Sequence, residues 1–227
     1  SVALSRGGAL VAWEASGALL AARTSAGSFE RPAEPAGEAA DPVAALSGTG
    51  TGLAAWSAAL PGGTSVTLAA GRSARASGWS VAEDVGIGLR PVAALNDRGD
   101  AVLAWSLDEP GRAQGVEAAT RRGMRGAWRA STVVARRTCQ CALVAAGAAV
   151  DGRGTAVVAW HRDDAGGAGG GGTAALGPSS AAWSRAPILP GRLARAPVVA
   201  ADPVSGAVAV WVESGRAGGV RAAALRR

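Results

Sequence analysis

The chain has 227 residues, 48% hydrophobic and 18% charged, a balance that supports a packed core and excludes compositional disorder. Two cysteines exclude a disulfide-dense scaffold, and 34 glycines with 11 prolines exclude one long helical bundle. The formal charge is +6 and all 23 basic residues are arginine; apart from a modest cluster at Arg121, Arg122, Arg125 and Arg129 they are scattered, so the charge reads as a compositional bias and a nucleic-acid partner is not expected.

Tandem repeats dominate the chain. The first is expected over 1–41. SVALSRGGALVAW holds a strand A, an SRGG turn and a strand B ending at Trp13; ALLAARTS (18–25) is strand C, and Phe29 stands where later repeats carry a second tryptophan. The second repeat, 42–90, runs PVAAL, SGTGTG, strand B to Trp56, strand C SVTLAAGR (65–72), and a strand D opening at Trp79. The third, 91–145, runs PVAAL, NDRGD, AVLAW to Trp105, GVEAATRR (115–122) and a strand D opening at Trp128. The fourth, 146–196, has AGAAV, DGRGT, AVVAW to Trp160, and a strand D from Trp183. The fifth, 197–227, has PVVAA, DPVSG, a strand B to Trp211 and GVRAAALRR as strand C.

Trp79, Trp128 and Trp183 each follow the preceding tryptophan by 23 residues, and with Trp13 and Trp211 these pairs account for all 8 tryptophans. Gly, Asp and Asn turns between short apolar runs are hairpin signals. Strand B is apolar at consecutive positions, as in Ala101–Val102–Leu103–Ala104–Trp105, so it must be covered on both faces. Four strands in about 50 residues, the second sandwiched, describe a propeller blade.

The expected fold is therefore all-β: one β-propeller domain over 1–227, of about five four-stranded blades, the last incomplete. Either that blade has three strands or the chain is cut from a larger propeller. A flat β-sandwich array and a β-solenoid are the alternative architectures. All eight tryptophans are expected to be structural, filling the gaps between neighbouring sheets. No segment reaches the roughly 18–20 apolar residues of a membrane span. Glu14 interrupts the apolar N-terminal stretch, so it does not read as a signal peptide, and the chain reads as a soluble, processed or excised piece.

In such a fold the B-to-C loops share one face, and here they are acidic. They carry Glu14, then Asp108 and Glu109, then His161, Arg162, Asp163 and Asp164, and finally Glu213. These are the candidate ligand-binding residues. The longest loop, HRDDAGGAGGGG, is expected to be mobile because of its glycines. His161 with Asp163 and Asp164 offers imidazole and oxygen ligands to a divalent ion, but the spacing matches no established metal signature and a solvated polar loop is the simpler reading. Cys139 and Cys141 could form a strained disulfide, remain buried thiols or share a metal. No cofactor is expected. No GxSxG elbow occurs, and the A-strand segments PVAAL, AGAAV and PVVAA hold none of the carboxylates that glycoside hydrolysis requires.

The PVAAL…DxxG…AVLAW pattern, the GVxAATR strand and the GAW at 126–128 resemble the repeats of secreted β-propeller proteins from high-GC actinobacteria, some of them sialidase-like. The resemblance covers nearly the whole chain. It implies the propeller fold and a secreted or cell-surface location. It does not extend to the sialidase catalytic set. That family's repeat turn is SxDxGxTW, whereas NDRGDAVLAW and DGRGTAVVAW set the Trp further from the Asp, and the chain has no tyrosine to act as nucleophile. Two readings follow: a non-enzymatic module contacting a glycan or protein through the B–C loop face, and a glycan-acting hydrolase.

Overall fold

A computed structural model of the chain describes residues 1–6, 8–16, 18–25, 28–29, 33–36, 39–76, 78–107, 114–136, 141–163, 169–185, 189, 193–202, 204, 206–213 and 218–225. All regular elements among them are strands, joined in chain order as antiparallel meanders. Sheet 1 comprises β1 (Val2–Ser5), β2 (Gly8–Ala15), β3 (Ala18–Ser25), β4 (Ser28–Phe29) and β5 (Ala33–Ala36), with both β4 and β5 on β3. Sheet 2 is β6 (Ala40–Leu46), β7 (Gly52–Ala59), β8 (Ser65–Arg72) and β9 (Glu83–Ile87). Sheet 3 is β10 (Leu89–Leu95), β11 (Ala101–Leu107), β12 (Gly115–Arg121) and β13 (Thr132–Arg136). Sheet 4 is β14 (Ala142–Val150), β15 (Ala156–Asp163), β16 (Gly171–Leu176) and β17 (Ser184–Arg185). Sheet 5 has three strands, β18 (Leu193–Asp202), β19 (Gly206–Glu213) and β20 (Val220–Leu225).

The turn that joins strands A and B has one chemistry in sheets 2, 3 and 4. Its first residue is Ser47, Asn96 or Asp151, and its fourth is a glycine with φ between 81° and 86° (Gly50, Gly99, Gly154). The glycine supplies the left-handed conformation at no steric cost. The first side chain satisfies the turn amides: Asn96 Oδ1 accepts from the amides of Arg98 (3.0 Å) and Asp100 (2.9 Å), and Asp151 Oδ1 from those of Arg153 (2.9 Å) and Thr155 (2.7 Å).

Successive sheets pack face to face. In β11 the residues Ala101, Leu103 and Trp105 meet Leu53, Ala55 and Val85 of sheet 2. Their neighbours Val102 and Ala104 meet Leu143, Ala145 and Val158 of sheet 4. A strand with both faces covered is apolar at every position, which is why the run AVLAW shows no alternation. The two tryptophans of a repeat enter the same junction: Trp56 and Trp79 between sheets 1 and 2, Trp105 and Trp128 between 2 and 3, Trp160 and Trp183 between 3 and 4. Trp211 packs with Leu189 and Leu193 toward sheet 4. Trp13 is half-buried and lies in none of these junctions among the described residues.

Three expectations are corrected. Trp79, Trp128 and Trp183 precede strand D instead of opening it, because β8–β9 and β12–β13 pairing starts only at Glu83 and Thr132. The HRDDAGGAGGGG stretch is not a single loop. β15 runs on through Asp163, and β16 begins at Gly171, paired with His161. Gly172 lies opposite Trp160 and is small for a packing reason, since an added Cβ would sit 2.6 Å from the indole. The inner strands are not free of carboxylates: β6 begins at Ala40 and includes Asp41. Cys141 is disulfide-bonded; the only other cysteine, Cys139, lies outside the described residues.

Candidate functional site

The A–B turns of neighbouring sheets are hydrogen-bonded into one row. Ser5 Oγ donates to the Ser47 carbonyl (2.7 Å), the Gly48 amide to Asp97 Oδ1, and Asn96 Nδ2 to the Asp151 carbonyl (2.9 Å). The meander then carries every B–C hairpin, and every start of a strand A, to the opposite end. That opposite end is the candidate ligand face.

Glu14 lies next to the end of β2 and is exposed. His161 and Arg162 are half-buried residues of β15, and the Arg162 amide donates to the Gly170 carbonyl (2.7 Å). Asp163 closes β15. Glu213 closes β19, and its Oε2 accepts from Arg221 Nε at 3.0 Å across the β19–β20 hairpin. Asp108, Glu109 and Asp164 lie outside the described residues. Among the described residues no three His, Cys, Asp or Glu side chains come together to hold a metal ion.

Two residues that the repeat pattern did not single out stand on the same end. Asp41 (φ 51°) and Arg90 (φ 55°) hold left-handed backbone just before Pro42 and Pro91, and both are exposed. Non-glycine residues in that region cost about 1–3 kcal/mol and concentrate at functional positions. Each sits where strand A slips register, between Ala40 and Val43 in β6 and between Leu89 and Val92 in β10. The serine after the strand-B tryptophan of the preceding sheet secures such a bulge. Ser57 Oγ accepts from the Arg90 amide (3.0 Å), and Ser106 Oγ from the Ala145 amide (3.1 Å). By the same register Glu14 follows Trp13 opposite the Asp41 bulge, and His161 follows Trp160 opposite the register slip after Arg195. The signal available in the sequence was the residue before each PVAAL, Asp41 before Pro42 and Arg90 before Pro91.

The A–B end is polar as well, and the charges around Asp100 are paired with one another. Asp100 accepts from Asn96 Nδ2 (3.1 Å) and the Gly123 amide (3.0 Å), and pairs with Arg98 (3.3 Å) and Arg122 (3.9 Å). Arg122 also donates to the Pro178 carbonyl. The crevice beside them, lined by Thr120, Arg129 and Gly177, has room for roughly one water, far less than a sugar ring needs. Arg121 is 2% exposed, lies 4.8 Å over the Trp128 ring and meets Glu83 at 3.4 Å. Burial lowers its pKa, and Glu83 opposes that shift. This guanidinium closes the junction of sheets 2 and 3 and is almost wholly buried there.

No family model matches the chain, and no curated protein matches it in sequence. Among solved structures it is similar to a Hadza microbial sialidase, with TM-score 0.59 and 12% identity over 98% of this chain and 55% of that one. It is also similar to a Penicillium chrysogenum α-L-arabinanase complexed with arabinobiose, with TM-score 0.52 and 11% identity over 94% and 74% of the two chains. A third is a protein of unknown function from Dyadobacter fermentans, with TM-score 0.53 and 12% identity over 100% and 78%. The chain spans about half the length of the sialidase. At these identities the likeness shows the fold alone, and that fold is of the propeller type.

Proposed function

We propose that the chain is a five-bladed β-propeller module that binds a glycan at the end bearing the B–C hairpins, without cleaving it. The observation that carries this reading is the fold it shares with a sialidase and with an arabinanase that holds arabinobiose. The chemistry of that end supports it. Glu14, Asp41 and Glu213 offer carboxylate acceptors, and Arg90, Arg162 and His161 offer donors, around the starts of the inner strands. Carboxylates and guanidinium forks recognise vicinal sugar hydroxyls by paired hydrogen bonds. A secreted or cell-surface location is part of the reading, and the Cys141 disulfide fits an oxidising compartment.

The test is a glycan array followed by calorimetric titration of the full chain with arabino-oligosaccharides and sialylated oligosaccharides. A saturable signal that weakens at least about tenfold in Asp41→Asn/Arg90→Gln is the expected result, equivalent to about 1.4 kcal/mol. A folded sample that binds no glycan, or binds only a protein in parallel pull-downs, would overturn the glycan assignment.

One observation favours hydrolysis as a second reading. Asp41 puts a carboxylate on an inner strand, opposite Glu14 by repeat register, and glycosidases work with two such groups. Turnover of an arabinan or an aryl glycoside, abolished in Asp41→Asn with binding retained, would establish that reading. Binding without any turnover refutes it.

A further inference from the structure

The arginines are scattered along the chain but not in space. In an antiparallel meander the A–B turns and the C–D loops come to the same end of every sheet, so residues far apart in sequence meet there. In sheets 2, 3 and 4 that end carries six exposed arginines: Arg98 and Arg153 in A–B turns, and Arg75, Arg122, Arg125 and Arg129 in C–D loops. Arg98 and Arg153 hold the same place in their turns, two residues after Asn96 and Asp151. The C–D loops of these sheets hold no carboxylate. The A–B turns hold three, Asp97, Asp100 and Asp151. Asp100 and Asp151 are buried and accept hydrogen bonds from the turns themselves and from the Gly123 amide.

Arg98 and Arg122 share Asp100, at 3.3 and 3.9 Å, so one carboxylate faces two guanidiniums, and 55% and 43% of these two side chains stay exposed. Gly154 lets both forks reach one spot: a Cβ there would lie 2.8 Å from Arg122 Nη1 and 3.4 Å from Arg98 Nη2. The side chains of Arg75, Arg125, Arg129 and Arg153 make no ion pair among the described residues. An uncompensated surplus of one sign opposes the compact state and draws anions to the surface that bears it.

We propose that this end binds a linear acidic polysaccharide, its carboxylates held by the guanidinium forks. A guanidinium is planar and meets a carboxylate through two parallel hydrogen bonds. The crevice between sheets 3 and 4 has room for roughly one water, so the ligand lies across the turns instead of entering a pocket. Stacked sheets stand about 10 Å apart, whereas duplex DNA presents a charge every ~1.7 Å of its axis; a polymer charged once in a sugar or two matches the sparser array. The loop tryptophans Trp79, Trp128 and Trp183 are half-buried in the sheet junctions and offer no open ring for a base to stack on. The Cys141 disulfide fits an oxidising compartment, away from nucleic acid and from the acidic cytoplasmic leaflet of a membrane. This surface lies at the opposite end of the sheets from the proposed glycan face, and neither depends on the other.

Calorimetric titration of the full chain with polygalacturonate tests this. Saturable binding at low salt is expected, lost at about 1 M salt, where the screening length falls to about 3 Å, and neutral dextran is expected not to bind. Arg125→Gln/Arg129→Gln/Arg153→Gln changes only exposed side chains, so the variant folds, which circular dichroism verifies. It should bind at least about tenfold more weakly, and Arg153→Gln alone about threefold. Arg136→Gln removes one exposed charge at the other end, where β13 pairs with the start of β12, and should stay within about 1.5-fold of the parent. Equal losses in the two single variants would mean that net charge alone governs binding and would overturn the proposal. So would a parent chain that binds no polygalacturonate, a triple variant that binds like the parent, or tighter capture of duplex DNA or phosphatidylserine vesicles than of polygalacturonate.

Discussion

Replacing Trp105 by alanine removes a ring that is 0% exposed at the centre of the junction between sheets 2 and 3. Trp→Ala changes in cores cost about 3–5 kcal/mol. The structure places Trp105 at the upper part of that range for two reasons. The surface under the ring is made by Gly86 and Gly88, which have no side chains to move into the void; a Cβ on Gly86 would already lie 2.5 Å from the ring. The indole also donates to the Ile87 carbonyl at 2.8 Å, and losing it strands a buried acceptor at a cost of about 1 kcal/mol. A loss of about 4 kcal/mol, divided by a urea slope of about 3 kcal/mol per molar, lowers the unfolding midpoint by about 1.3 M. Urea titration followed by far-UV circular dichroism reads this directly. Trp13→Ala is the reference, since that ring lies in no junction among the described residues. A Trp105→Ala midpoint within about 0.3 M of the parent would refute the account of paired indoles holding the sheets together.

Gly88→Ala should lower stability by about 2–4 kcal/mol in the same titration, because its φ of 145° suits glycine and its Cβ would enter the space of the Trp105 ring. Asn96→Asp replaces a donor to Asp100 and the Asp151 carbonyl by a second carboxylate. The repulsion raises one carboxyl pKa in the folded state, so a penalty of about 2–3 kcal/mol at neutral pH should shrink as pH falls toward about 4, and a pH-independent penalty would contradict it. Arg121→Met should stay within about 1 kcal/mol of the parent, whereas Arg121→Ala should cost about 2–4 kcal/mol through lost packing on Trp128; thermal unfolding of both separates volume from charge. Reduction of the Cys141 disulfide, whose only possible intrachain partner two positions away closes a very short loop, should cost no more than about 2 kcal/mol, read as the shift in midpoint with and without reductant.

Strand content and the tryptophan pairing were legible in the residues because both are set locally. A turn such as Asn96–Gly99 closes with its own side chain and its own left-handed glycine. A strand covered on both faces, such as Ala101–Trp105, must be apolar throughout. The candidate face was legible in part. Glu14, His161, Arg162 and Glu213 could be read from their place after the strand-B tryptophans. For Asp41 and Arg90 only the residue before PVAAL was visible, since a bulge exists only as a slip between two paired strands, and at Arg90 it is held by Ser57 from the preceding sheet. The glycines after Asp164 read in the sequence as a mobile loop, whereas Gly172 faces Trp160 across a ladder. The largest decision left to the tertiary structure concerns the end sheets. Val208 and Val102 hold the same register in their sheets, yet Val102 is buried and Val208 meets solvent. Burial is a property of what stacks on a face, and periodicity along a strand carries no information about whether a partner is there.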